Sequence, residues 1–96
     1  MQKVFISQPM FGKTNEQICE ERTEIVNKLN DAGYEVIDSI IEDDVNNPVW
    51  LLGESIKLLS EADYIYTMSG WEGSRGCIIE KAIACFYNIP GLNEVI

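Results

Sequence analysis

Hydrophobic positions along this chain switch between runs suited to strands and runs spaced as one face of a helix. Lys3–Ser7 (KVFIS) is a short apolar run rich in β-formers and stopped by Gln8-Pro9, the pattern of a buried strand. After a loop, SQPMFGK, Thr14 and Gln17 stand at capping-box spacing. Ile18, Arg22, Ile25, Val26, Leu29 and Ala32 then follow at largely helical intervals until Gly33 stops the helix. Tyr34–Ile37 (YEVI) reads as a second strand, ending in Asp38-Ser39 and a loop made acidic by Glu42, Asp43 and Asp44. Asn47-Pro48 supplies an N-cap and a first-turn proline, and Leu51, Leu52, Ser55, Ile56, Leu59 and Ala62 trace one face of a second helix running to about Ala62. Tyr64–Met68 (YIYTM) is a third strand, and the glycine-rich turn Ser69–Gly76 leads into a third helix over Arg75–Tyr87. A final edge strand is expected near Asn93–Ile96, kept short by Pro90-Gly91.

Strands that alternate with helices favour an α/β fold with a parallel sheet, because each helical crossover returns the chain to the same direction. Ligands of such sheets bind beyond the carboxyl ends of the strands. Three loops meet there: 7–13, 38–47 and 69–76. Asp63 falls at the opposite end of its strand, which makes it a poor catalytic candidate.

Composition narrows the chemistry. The 96 residues, 46% of them hydrophobic, fit one domain with one core. The chain has no run of bilayer-spanning length and no secretion signal at its start, so a cytoplasmic location is expected. Cys19, Cys77 and Cys85 lack CxxC spacing and read as reduced, mainly structural thiols. With no histidine, no imidazole can serve as acid, base or metal ligand, so any catalysis rests on carboxylates or hydroxyls. A net charge of −9 repels nucleic-acid polymers but leaves room for a small anion held by backbone amides and one or two cations.

The third loop carries the clearest signal. Gly70, Gly73 and Gly76 permit close backbone approach, and Ser74 can cap a helix whose amides face the ligand. Of the seven basic residues, Lys13 and Arg75 alone fall outside the first strand and the helix interiors, so they are the natural anion partners. The same glycines also suit a plain tight turn with Arg75 in solvent. Glu80 lies on the helical wheel near Gly76, Cys77, Ile83, Ala84 and Tyr87, where small neighbours leave a hollow. An ordinary surface glutamate beside Lys81 is the alternative. Trp71 offers a stacking face, with Met10 and Phe11 as a facing wall, or all three belong to the core. Trp50 is expected to pack, and Glu42–Asp44 to be a solvated charge run rather than a metal loop.

Taken together, KVFISQPMFGK, EVIDS, LGESIKLLSEADYIY and GWEGSRGCIIEKAIA resemble the nucleoside 2-deoxyribosyltransferase-like superfamily, in particular its short bacterial and phage branch. The resemblance spans about 3–89 and implies a Rossmann-like, flavodoxin-like single domain with three to five parallel strands. It places Glu80 where that superfamily carries the nucleophile that attacks an anomeric carbon. Substrate contacts are implied for Ser7, Gln8, Pro9, Met10, Gly12, Lys13, Asp38, Ser55, Gly70, Trp71, Ser74, Arg75 and Gly76. Ser74 stands six positions before the glutamate, where nucleotide hydrolases contact a 5′-phosphate and nucleoside-handling enzymes carry an aspartate. Ser55 replaces the helper aspartate, Phe5 replaces a tyrosine that orients the nucleophile, and the C-terminal segment of the transferases is missing, so base exchange is disfavoured. The expected function is N-glycosidic hydrolysis or deoxyribosyl transfer on a small nucleoside 5′-phosphate. The alternative is nucleotide binding without chemistry. No cofactor, metal, nucleic acid or membrane partner is expected, and relatives of this kind form homo-oligomers.

Overall fold

The computed structural model describes residues 1–39 and 47–94, a compact α/β domain with a parallel sheet flanked by three helices. Strand β1 (Lys3–Ser7) is central, with β2 (Glu35–Val36) on one side and β3 (Tyr64–Thr67) on the other, both parallel to it. Three helices connect or follow them: α1 (Asn15–Asp31), α2 (Pro48–Leu59) and α3 (Arg75–Phe86). The order β2-β1-β3 is that of a Rossmann-like, flavodoxin-like sheet.

Alternation along β1 divides the core in two. Val4 and Ile6 point to one face, where they meet Leu29 of α1, Met68 and Leu92. Phe5 points to the other, against Leu59 of α2, Ile65 of β3 and Ala84 of α3. Thus α1 covers one face, and α2 with α3 covers the other.

Local signals fix the helix starts. Thr14 Oγ1 accepts from the Gln17 amide at 3.1 Å while Gln17 Oε1 accepts from the Thr14 amide at 2.9 Å, a complete capping box. Asn47 Oδ1 accepts from the Trp50 amide at 3.1 Å ahead of Pro48. Gly33, at φ +92°, makes the left-handed turn that lets α1 end and β2 begin.

Several boundaries differ from the sequence reading, each for a hydrogen-bonding reason. The second strand is shorter than Tyr34–Ile37: the Tyr34 amide turns back to the Leu29 carbonyl, and the Ile37 carbonyl accepts from the Arg22 side chain instead of a strand. Helix α2 ends at Leu59, because the Glu61 and Ala62 amides tighten onto Leu58 and Leu59. Ala62 still packs against the core, which is why the apolar spacing ran on past the helix. Strand β3 ends at Thr67, whose amide donates to Asn93 Oδ1 at 3.0 Å and whose carbonyl accepts from Asn93 Nδ2 at 2.9 Å. In place of the expected edge strand, Gly91 makes a single parallel bridge to Ile65 and Leu92–Glu94 forms a 3-10 turn. Positions 95–96 of that expectation, and the acidic run at 42–44, lie outside the described residues.

Trp50 is 47% exposed, so the packing expected of it is at best partial. All three cysteines are free, but Cys19 and Cys85 are exposed and only Cys77 is buried, which corrects the expectation of mainly structural thiols. Among the described residues, no helix is long and apolar enough to cross a membrane, and no group of three or more His, Cys, Asp or Glu is placed to hold a metal ion.

Leu29 is fully buried where α1 meets the sheet, so Leu29→Ala should lower unfolding stability by about 2–5 kcal/mol. Thr14→Ala, which removes half of the capping box, should lower it by about 1 kcal/mol. Urea denaturation of both variants checks the ranking.

Candidate active site

Ser7 closes β1 on the face that carries Phe5, so its hydroxyl points toward α3. On α3 the buried stripe is Cys77, Glu80 and Ala84, spaced three and four residues apart. These two periodicities bring Ser7 Oγ to 2.6 Å from Glu80 Oε1, to which it donates. Ser7 and Glu80 are both buried, and an ordinary surface glutamate beside Lys81 is thereby excluded. Burial pushes the Glu80 carboxyl above its ordinary range, and the Ser7 hydrogen bond partly offsets that rise by stabilising the anion.

Glu80 lies in an open cleft of about 310 Å³ at the carboxyl end of the sheet. Ser74, Gly76 and Cys77 of α3 flank it, Gln8 and Met10 come from the loop after β1, and Ser39 follows β2. Leu51, Leu52 and Ser55 of α2 form an apolar wall with one hydroxyl, and Phe5 forms part of the floor. Among the described lining residues, Glu80 alone is charged. A depression of about 330 Å³ between α2 and α3 is lined by Ile56, Leu59, Ile83 and Ile89, with the hydroxyl-bearing Ser60 and Tyr87 and no carboxylate or cation among the described lining residues. A third hollow, of about 410 Å³, is lined by Lys81, Cys85 and Asn88, so the Glu80 cleft is the one of the three with a carboxylate among its described lining residues.

The other sequence candidates fall at varied distances from this centre. Pro9 is buried, and Gly70, at a φ of +90°, follows β3 where a Cβ would come within van der Waals contact of the Pro9 ring. Gly12 lies in the turn closed by the Lys13 amide on the Met10 carbonyl. Lys13 itself is held by Glu21 at 2.7 Å and does not line the cleft, so it is not the open anion partner that the sequence offered. Arg75 is exposed in the first turn of α3, outside the lining. Trp71 occupies a 3-10 turn, Trp71–Gly73, that also stays outside it, whereas Met10 and the fully exposed Phe11 stand on the cleft. Asp38 is exposed beside Ser39.

Two features escaped the sequence reading. Arg22 falls within α1, yet it is 8% exposed and reaches past the helix to donate to Ser39 Oγ at 3.0 Å and the Ile37 carbonyl at 3.3 Å. Burial pulls its pKa down while Asp38 and Cys19 pull it up. Its place on an apolar stripe, between Ile18 and Ile25, was the available signal. Gln8 donates through Nε2 to the Ile18 carbonyl at 2.9 Å, which fastens the first loop to α1. Gln8 Oε1 and Arg22 Nη1 are buried without a protein partner among the described residues.

A family model described as a domain of unknown function, DUF4406, matches residues 2–90. The chain belongs to the DUF4406 family. Comparisons with curated proteins and with solved structures gave no match. The DUF4406 match covers every element from β1 through α3, and with them both ends of the Ser7–Glu80 hydrogen bond.

Because the folded chain raises the Glu80 pKa, its protonated form is favoured by folding. Stability from this group is fully present below the unfolded carboxylate pKa and is lost as pH rises through the folded value. Glu80→Gln, which cannot ionise, should therefore match wild type in acid and gain on it progressively as pH rises. Melting temperatures of the two proteins across that range provide the check.

Proposed function

We propose that this DUF4406 chain cleaves the N-glycosidic bond of a small nucleoside 5′-phosphate, with Glu80 as nucleophile. The observation that carries the proposal is a buried carboxylate, aligned by a serine, as the one charged group among the described residues of a cleft at the carboxyl end of a parallel sheet. The resemblance to the nucleoside 2-deoxyribosyltransferase-like superfamily supports the same assignment for Glu80.

In the proposed reaction a lone pair of the Glu80 carboxylate bonds to the anomeric carbon, and the electron pair of the carbon–nitrogen bond leaves with the base, which takes a proton from water. Water then attacks the glycosyl ester, frees the carboxylate and releases its second proton to solvent, as in a retaining glycosidase. Replacement of that water by an acceptor base turns hydrolysis into transfer. Ser74 and Gly76 place the first turn of α3 on the cleft, where amide groups and the helix dipole favour a phosphate, and Arg75 on the same turn adds a cation at the rim. Cytoplasmic residence and homo-oligomeric assembly belong to the same proposal; the exposure of Phe86 and Tyr87 at the end of α3 supports assembly.

A second reading, nucleotide binding without chemistry, is favoured by one observation. Ser55 lines the same cleft as Glu80 and stands where the resemblance implies a helper carboxylic acid that assists departure of the base, and serine is a far weaker acid.

Incubation of the purified chain with a panel of nucleoside and deoxynucleoside monophosphates, followed by mass spectrometry of the small molecules and the intact protein, separates the two. Hydrolysis yields free base and a sugar adduct lost in Glu80→Gln. Its rate should increase with pH as Glu80 ionises. Ligand recovered unchanged from a tight complex supports binding alone, and neither turnover nor binding across the panel sinks both.

A further inference from the structure

The hydrogen bond at the cleft floor is asymmetric. Ser7 Oγ engages Oε1 of Glu80 at 2.6 Å, and no described residue donates to Oε2. Both side chains sit on elements that leave them little freedom: Ser7 ends the central strand, paired on to β3 through the Met68 amide on its carbonyl, and Glu80 lies between Cys77 and Ala84 on the buried stripe of α3. A carboxylate tied at one oxygen by a buried hydroxyl cannot swing freely about its last torsion. We propose that Ser7 is a positioning residue that fixes the Glu80 carboxylate by Oε1 and presents Oε2 as the oxygen that attacks the anomeric carbon.

The assignment rests on Glu80 acting as nucleophile, and it departs from the sequence expectation that Ser7 touches substrate. A serine whose hydroxyl is committed to Glu80, with 1% of its surface exposed, has no donor left for a ligand. Among the described residues, the groups that can compete for Glu80 are few. The cleft is lined without charge from β1 and its loop by Phe5, Ile6 and Gln8, from α2 by Leu51, Leu52 and Ser55, and after β2 by Ser39, whose hydroxyl accepts from the Arg22 guanidinium. On α3 the titratable neighbours are Cys77, buried one turn earlier, and Lys81 at the next position.

Wild type, Ser7→Ala and Ser7→Thr supply the test, each with glutamate labelled at the side-chain carboxyl carbon. The Glu80 resonance is assigned by its disappearance in Glu80→Gln, and its titration is followed by NMR. Loss of a hydrogen bond to the anion should raise the Glu80 midpoint by about one pH unit in Ser7→Ala. Ser7→Thr, which keeps the hydroxyl, should restore it. On whichever nucleotide the wild type turns over, kcat in Ser7→Ala should fall about tenfold at a pH where Glu80 is ionised in both proteins, with KM nearly unchanged.

A serine that only packs would lower stability and leave the midpoint where it is. An unmoved midpoint in a folded Ser7→Ala protein therefore overturns the proposal. A raised midpoint in a chain that turns over no nucleotide ends the glycosidase reading and the attack by Oε2 with it, but leaves the anchoring of Oε1 established. The two failures are thus distinguishable.

Discussion

Everything that can happen in the cleft depends on one carboxyl group being held against the apolar face of a parallel sheet. Withdrawing a carboxylate from water is costly unless hydrogen bonds replace its hydration. Here one short bond from Ser7 is the compensation that the described residues supply. The balance remains on the side of burial, since the Glu80 pKa stays raised. Register makes the arrangement strict. Moving the acid one position along α3 would rotate it about 100°, off the Cys77–Ala84 stripe.

The sheet order explains why a cleft exists at that spot. β1 lies between β2 and β3, so the chain leaves β1 toward α1 on one face, and leaves β3 toward α3 on the other. The loops diverge at the carboxyl ends, and the gap between them becomes the hollow over Ser7. The two faces then specialise. The α1 face is packed by Val4, Ile6 and Leu29, while the α2–α3 face packs Phe5, Leu59 and Ala84 at its base and opens at its top.

The strands and helices were legible in the sequence because their signals are local. A short run of apolar β-formers marked β1, Thr14 with Gln17 marked the start of α1, and Asn47-Pro48 marked the start of α2. Boundaries set by distant partners were not legible. The second strand stops where Arg22 takes the Ile37 carbonyl, and the third stops where Asn93 takes both backbone groups of Thr67. The site divides in the same way. Helical spacing offered Glu80 a hollow but left a surface position open, loop order offered Ser74 and Gly76, and Ser55 came in only through the family resemblance. The Lys13–Glu21 pair depended on how the first loop folds against α1, and the reach of Arg22 to Ser39 spans seventeen residues, so neither could be read from neighbours in sequence.

Asn93 has a consequence for how copies of this chain can meet. Its carboxamide imitates a strand at Thr67, and Gly91 bridges Ile65 just before it, so the outer rim of β3 is already occupied by the chain's own tail. A rim whose amides and carbonyls are taken cannot template a strand from another molecule. At Ile65 and Thr67 that edge of β3 is thereby withdrawn from pairing with a further strand.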